Sequence, residues 1–580
     1  MFLRYLKTVS LQTVFFYLFY LYISYQNHIV AKEHFTIDTF MSSSHRLVIK
    51  DALWQLFWRI ISALFWFVIT KIISSYLGPL RYGDYWTIFR FFAWWTALVD
   101  FWIYVIAVKQ LWEIKNRTYW EWTEIPALDP NSELSQTYGK FVWMRVFLII
   151  VIYTIAIVTA YLIPAYTSNP FIIWWLPLAM CYSASNMYAG IQQLPLQIFW
   201  KMKRLTWSLI IARFSQLFVL LPVVYIFFRN IDFQEAGTTT PMMILAFCLV
   251  VFSVVASSLW QNVEMHLRTK DLLPLKIRIN MPFIKDLLKK NWKYGFSYFF
   301  SSFHTLLVLM FLGWFFPTAS WYKYAGIWAL ALSLIEILLI IPSSLGNSLL
   351  HKIPHYSDEN KKKSLWNLML LVGRLWAIIA INFWIFAEDI IIFVSSKAFL
   401  GSWDSIAMWW SNQVLPFLWI VLVLSFIKQV YNYLFVALEK QNILFWINLT
   451  WVVLWALAWI FLIPKYWLLW WVITQVFIET LFTLWAIRLW VKRWLTPIFQ
   501  KKVFLELVAI LWLFTLIWYF VRNYMVWSFE STSFTFWSRT IAANVREIIR
   551  FFIIAIFYNL VLMWISIPSI KKVAKWLTSD

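Results

Sequence analysis

The chain has 580 residues, of which 62% are hydrophobic and only 13% are charged, against roughly half and roughly a quarter in ordinary globular domains. Stretches of about 20 apolar residues, enough to cross a hydrocarbon core about 30 Å thick, recur along its length. This composition excludes a soluble enzyme. The 49 Lys and Arg exceed the 27 Asp and Glu and give a net charge of +22, which in a membrane protein indicates basic cytoplasmic loops and no nucleic-acid partner.

The first 50 residues contain one short apolar run, from Leu11 to Ile23, which follows Arg4 and Lys7. The run is too short for a standard membrane crossing, and no small-residue cleavage site follows it. We therefore interpret it as an interfacial helix and do not count it among the spans. Counting it would move Arg4 and Lys7 outside, which the charge distribution described below disfavours.

Fourteen later segments are long and apolar enough to span a bilayer. Within lipid every backbone N–H and C=O needs an internal partner, and these segments are too long and too uniformly apolar for barrel strands, so helices are predicted. They lie at 52–78, 84–110, 141–163, 171–199, 205–228, 241–263, 294–316, 324–350, 365–387, 412–437, 443–463, 467–491, 503–521 and 548–568. The predicted fold class is an all-α polytopic membrane protein with about 14 transmembrane helices.

Lys and Arg outside the spans are concentrated in one set of connections. This set contains the run 201–204, eight basic residues between 264 and 293, and the run 361–363. The opposite set contains mainly single residues such as Arg81 and Arg229. Because cytoplasmic loops carry the excess of Lys and Arg, both termini are predicted to be cytoplasmic.

An internal repeat divides the chain. Lys50 and a long apolar span precede Gly83, and Lys293 and a similar span precede Gly326, with an offset of 243 residues for both pairs. A second pair of connections, 200–205 and 439–443, follows in the same order. Six helices per repeat predict two halves related by an axis along the membrane normal, with a cavity between them.

The predicted organisation follows from this repeat and from the basic, proline-containing break at 264–293. It comprises an N-terminal segment (1–50), a first six-helix bundle (51–263), a cytoplasmic linker (264–293), a second six-helix bundle (294–491), and two further helices with a cytoplasmic tail (492–580).

Five short runs resemble a known family. The first is Tyr-Leu-Gly-Pro-Leu-Arg-Tyr-Gly-Asp-Tyr at 76–85, and the others lie at 326–332, 340–345, 434–441 and 462–466. In this order and spacing they resemble bacterial polysaccharide flippases of the Wzx type, within the multidrug/oligosaccharidyl-lipid/polysaccharide (MOP) exporter superfamily. The resemblance covers residues 50–490 and implies a MATE-like pair of six-helix repeats, followed here by two C-terminal helices.

Tryptophan and glycine occur in unusual numbers, 43 and 11, although an ordinary glycine content of about 7% would give roughly 40. Trp102, Trp467 and Trp470 stand where members of the resembled family have glycine. Trp94 and Trp95 fall in the middle of a span, whereas membrane tryptophans concentrate at the interfaces. We hypothesise that the gene comes from a bacterial lineage that reads UGA as glycine and was translated with UGA as tryptophan. The alternative is an AT-biased, aromatic-rich membrane protein, and the codons distinguish the two.

Ionisable residues inside spans are costly and therefore indicate function. The cationic candidates for lining the cavity are Arg59, Arg90, Arg374 and Lys428. Arginine forks match phosphate oxygens, so such a cavity suits a pyrophosphate headgroup. Asp100 and Glu336 are candidates for coupling transport to an ion gradient. The alternative for each charged residue is a snorkelling side chain or an ion-pair partner within the bundle.

The resemblance implies a transporter that flips an undecaprenyl-pyrophosphate-linked oligosaccharide across the cytoplasmic membrane, with membrane lipids and a coupling ion, H⁺ or Na⁺, as further partners. Neither a nucleotide-binding nor a zinc motif occurs, and Cys181 and Cys248 cannot build a thiol metal site, so neither enzymatic activity nor a cofactor nor a metal is expected. The alternatives are a peptidoglycan-precursor flippase and a MATE-type drug exporter, followed by a membrane glycosyltransferase or polymerase.

Overall fold

The structure is a computed structural model. It describes residues 43–100, 103–118, 130–199, 201–233, 239–274, 277–289, 292–293, 295–297, 299–300, 322–336, 387–401, 411, 413–415, 418, 421–422, 424–425 and 441–491. Throughout these residues the ordered elements are helices, and the predicted all-α class is confirmed. The predicted spans 503–521 and 548–568 lie outside the described residues, as do the run Leu11 to Ile23, most of 294–316 and all of 365–387 except Ala387. The count of fourteen therefore stays a prediction.

The chain enters the fold through a bent pair of helices. The helical stretch Ser43–Asp100 breaks at Gly78 (φ 65°, ψ 176°) into α1 (43–77) and α2 (79–100). This positive φ favours glycine, which has no Cβ to clash. Pro79 then fits the first position of α2, where no intrahelical N–H bond is lost. The Gly-Pro pair thus forms the turn between the first two predicted spans. The end of the bundle at this turn is called the Gly78 end below.

The remaining helices of the first half follow in order. They are α3 (Ile103–Thr118), α4 (Glu133–Tyr161), the short α5 (Pro164–Thr167) and α6 (Pro170–Ile173), α7 (Leu176–Ile198), α8 (Met202–Pro222), which continues as a π-helix (Val223–Phe227), and α9 (Pro241–Thr269). Side-chain caps begin several of them. The hydroxyl of Ser132 accepts from the amide of Ser135 before α4, and that of Thr240 accepts from the amide of Met243 before α9, which satisfies amides that have no helical partner.

The predicted linker contains α10 (281–289). The described elements of the second half are α11 (322–336), α12 (Ala387–Val394), a 3₁₀ turn (Lys397–Phe399) and α13 (Gln441–Val491). The last is one continuous helical stretch that covers the two predicted spans 443–463 and 467–491. α9 packs against α7 and α8, and α1 and α2 pack against α4, α7 and α8. One apolar core extends from the first half into α11 and α12.

Three helices of the described part are long and apolar enough to cross a membrane: Glu133–Tyr161, Lys203–Phe227 and Pro241–Thr269. Large apolar side chains on two of them point outward, with Phe218 80% exposed on α8 and Ile150 59% exposed on α4. Apolar surface of this extent is unfavourable in water and favourable in lipid. These long helices with outward-facing apolar side chains are those of a multi-pass membrane protein.

Candidate functional site

The structure describes only some of the predicted site residues. Arg90, Asp100 and Glu336 are described with their side chains. Arg59 lies in α1, but its side chain is outside the described part. Arg374 and Lys428 lie outside the described residues, so their assignment to a cavity stays a prediction.

Arg90 and Glu336 meet across the two predicted halves. The guanidinium Nη2 of Arg90, on α2, donates to the carboxylate Oε2 of Glu336, on α11, and the two residues are 246 positions apart in the chain. The guanidinium also lies over the ring of Trp86, 4.8 Å from its centroid. The side chains are 16% and 32% exposed, respectively. The pair is therefore a partly accessible charged contact between two helices from opposite halves.

The depth of this pair follows from helix geometry. Arg90 lies 11 residues after the start of α2 and Glu336 lies 14 residues after the start of described α11. At 1.5 Å per residue these positions are about 16 and 21 Å from the Gly78 end. This is near the middle of a hydrocarbon core about 30 Å thick. The inter-half contact is thus polar at this depth.

Asp100 has a different partner. Its carboxylate accepts from Nη2 of Arg145 at 2.6 Å, and Nη1 of Arg145 donates to the Val99 carbonyl at 3.0 Å. The Arg145 side chain is 1% exposed and that of Asp100 is 26% exposed. Thr96 and Tyr153 share a 2.7 Å hydrogen bond beside them. Asp100, the ion-coupling candidate, is thus ion-paired within the bundle.

A second group of contacts closes the Gly78 end. Asp84 is fully buried and accepts from Arg81 at 3.0 Å and from Asn169 at 2.8 Å. Tyr322, at the start of α11, donates its hydroxyl to the Ala165 carbonyl at 2.5 Å. Sequence reasoning did not identify these residues, because their partners come from distant segments. The Tyr-Gly-Asp-Tyr run at 82–85 was the one available signal.

The two glycines that define the repeat offset touch each other. A Cβ on Gly83 would overlap the Tyr322 carbonyl and lie 2.9 Å from the Gly326 amide nitrogen, and a Cβ on Gly326 would overlap the Pro79 carbonyl. α2 and α11 therefore cross with their backbones in contact, which only glycine permits. The crossing of two repeat-related positions is expected near an axis of internal symmetry.

No group of three or more His, Cys, Asp or Glu that could hold a metal ion occurs among the described residues. Among the described residues, the Arg90–Glu336 pair lies near mid-depth, whereas the Arg145–Asp100 pair lies at the opposite end of α2 from Gly78. Chemically this arrangement can bind an anion or exchange a carboxylate partner.

Comparisons with known proteins agree on the fold. No protein-family model matches the chain, and no curated protein matches it. A solved structure described as the inward-facing conformation of a multidrug resistance MATE family transporter of the MOP superfamily is similar, with a TM-score of 0.50 and 11% identity over 75% of this chain and 97% of that chain. Another, named only protein A, gives a TM-score of 0.52 and 13% identity over 77% of this chain and 95% of that chain. The chain has the fold of MATE transporters of the MOP superfamily.

Proposed function

We propose that this protein is a flippase that moves an undecaprenyl-pyrophosphate-linked oligosaccharide from the inner to the outer leaflet of the cytoplasmic membrane for polysaccharide biosynthesis. The observation that carries the proposal is Arg90, a cation at mid-depth that faces the opposite half and is partly accessible. The MOP transporter fold and the five sequence runs of the flippase type support it. No covalent bond changes during transport.

The Arg90–Glu336 pair suggests how an anionic headgroup is taken up. In the absence of substrate, Glu336 supplies the negative charge that Arg90 needs in a medium of low dielectric constant. A diphosphate matches the guanidinium fork at least as well as a carboxylate does, so it competes with Glu336 for Arg90. Substrate binding therefore breaks a charged contact between the halves, and Arg90 keeps an anionic partner throughout.

Displacement leaves Glu336 in need of a new partner. A proton or a Na⁺ ion satisfies that need, because an unpaired carboxylate at this depth is costly. Headgroup entry and cation uptake are then linked at one residue. This is the physical basis for proposing Glu336, with Asp100 as the second candidate, as the coupling group. The lipid tail stays in the bilayer while the two halves rock about the site.

The test is leaflet translocation of a fluorescent lipid-linked oligosaccharide by the purified protein in liposomes. Arg90→Ala removes the fork and is expected to lower kcat/KM by about 100-fold, since a hydrogen bond to a charged group contributes about 1.5–3 kcal/mol. Glu336→Gln releases Arg90 and is expected to lower KM. Arg117→Ala is the matched control. Arg117 lies at the end of α3, its guanidinium is 69% exposed, and it pairs with Glu133 at the start of α4.

The competing functions give different results in the same liposomes. Export of a cationic dye without flipping of any lipid diphosphate would replace the proposal with a drug exporter. Equal flipping of peptidoglycan precursor and lipid-linked oligosaccharide would show that the site recognises the diphosphate that both lipids share. Normal translocation by Arg90→Ala would remove the cationic site from the mechanism.

A further inference from the structure

One face of α1 carries three donors that all point into the other half. Lys71, Ser74 and Ser75 stand at positions i, i+3 and i+4, which share a helix face. The Lys71 ammonium donates to the carbonyls of Ile392 and Ser395. Ser75 donates to the Ser395 carbonyl at 3.0 Å, and Ser74 donates to the Val394 carbonyl at 3.4 Å while also bonding within its own helix.

Their acceptors lie at the C-terminal end of α12. The last four carbonyls of a helix have no partner within it and need one elsewhere. Of these, the carbonyl of Ile391 receives the amide of Ser395 at 2.8 Å, whereas those of Ile392 and Val394 receive side chains of α1. A lysine at this position also meets the negative end of the helix dipole. The C-terminal cap of α12 is therefore supplied by α1, more than 300 residues away in sequence.

We propose that this cap, formed by Lys71, Ser74 and Ser75 on the carbonyls of residues 392–395, is the gate that holds the Gly78 end of the transporter closed. α1 belongs to the first predicted half and α12 to the second, so the cap joins the halves at the end that the distribution of Lys and Arg places outside. The proposal goes beyond the proposed substrate, because the gate must open for whatever is carried.

The chemistry of the cap suits repeated opening. When the halves part, the carbonyls of α12 and the donors of α1 reach water at this end of the bundle, and water replaces each lost hydrogen bond. The net stability of each such bond is therefore small compared with its strength in an apolar medium. An apolar seal of equal area would have no such replacement. The neighbouring Tyr82 and Phe399 rings, 5.8 Å apart between centroids, separate in the same movement.

The gate is tested by thiol labelling in nanodiscs. Ser395 is fully buried, and Ser395→Cys leaves its backbone carbonyl in place, so the thiol reacts with a maleimide when the gate opens. Cys181 and Cys248 are first replaced by serine. In this background Lys71→Met is expected to raise the labelling rate about tenfold and Ser75→Ala about threefold, whereas Lys71→Arg, which keeps a charged donor, stays within about twofold of the parent.

Two controls separate gate opening from misfolding. Ser215→Ala removes a hydroxyl that bonds only the Ala212 carbonyl of its own helix and should leave the rate unchanged. A thiol introduced by Ser253→Cys, fully buried on α9, should stay unlabelled. If it reacts in Lys71→Met, that variant is misfolded and Ser75→Ala decides the question. Parental labelling of Ser395→Cys in both Lys71→Met and Ser75→Ala would overturn the gate. This readout needs no substrate and is therefore independent of the proposed flippase activity.

Discussion

A single methyl group at Gly83 is expected to separate the two halves. In Gly83→Ala the new Cβ would overlap the Tyr322 carbonyl and lie 2.9 Å from the Gly326 nitrogen, whereas ordinary contacts lie at 3.4–4 Å. Both neighbours are backbone atoms, so no flexible side chain can move aside. α2 and α11 must separate by more than an ångström before the new Cβ clears the Tyr322 carbonyl.

Overpacking of this kind costs about 1–3 kcal/mol, which corresponds to about a 5- to 150-fold change in an equilibrium between closed and open forms. Alanine also favours a helix over glycine by up to about 1 kcal/mol, which partly masks this cost. Gly190→Ala provides the correction, because its Cβ would lie 3.9 Å from Nη2 of Arg145, an ordinary contact. The difference between the two variants isolates the crossing of α2 and α11.

The assay compares thermal unfolding midpoints at one heating rate, since membrane proteins often unfold irreversibly, together with maleimide labelling of Ser395→Cys. Gly83→Ala should melt below Gly190→Ala and label faster. The double variant Gly83→Ala/Gly326→Ala should lower the unfolding midpoint by less than the sum of the two single variants, because both methyl groups disturb the same contact. Equal midpoints and equal labelling rates for Gly83→Ala and Gly190→Ala would show that the backbones do not touch.

Two further predictions concern other parts of the molecule. Trp95→Gly should be neutral or stabilising if UGA codons encode glycine here, although removing a buried tryptophan ordinarily costs about 3–5 kcal/mol; loss of that size in a thermal melt would contradict the recoding hypothesis. Burial raises the pKa of Asp271, but the hydrogen bond and charge of Arg204 lower it, and the net value lies below the usual 3.8. The contribution of Asp271 is therefore present above pH about 4 and lost as the pH falls through the folded pKa, and Asp271→Asn should lower the melting midpoint more at pH 7 than at pH 3. With Asp271 half-exposed, this effect is less than about 1 kcal/mol; an unchanged midpoint at both pH values would contradict it.

The sequence predicted those features that depend on local pattern. Apolar length and the lack of strand-like alternation predicted helices, and the limits of the first two predicted spans placed a turn after residue 78. The repeat offset of 243 residues pairs Gly83 with Gly326, and the structure places these two glycines in contact. The MATE-like fold was implied by the five short runs that resemble the flippase family, because their order and spacing can be read from the sequence.

Ion-pair partners could not be predicted in the same way. Arg90 and Glu336 were assigned separate roles, substrate binding and ion coupling, because nothing in either segment encodes that α2 and α11 cross at that level. The same holds for Asp100 and Arg145, which lie 45 residues apart. The cap of α12 by α1 was equally hidden, since the three donors on α1 are an ordinary polar stripe until the position of their acceptors is known. Charge type is a local property, whereas the choice of partner is a property of the packed bundle.

The buried tryptophans bear on the recoding hypothesis through their hydrogen bonds. Among the residues that the structure describes, the indole N–H groups of Trp95, Trp143 and Trp175 are buried and have no acceptor. An unsatisfied buried donor costs about 1–3 kcal/mol, and within a bilayer water does not offset that cost. Native membrane proteins avoid such groups, and glycine has no side-chain donor to bury. Trp95, Trp143 and Trp175 therefore bury donors that glycine would not have, and this is the result expected if glycine codons were read as tryptophan at these three positions. The codon at each position distinguishes the two cases. UGG at Trp95, Trp143 and Trp175 would mean that these three indoles are genuine and need hydrogen-bond acceptors. UGA would mean that glycine, a small residue, stands at these positions in the bundle.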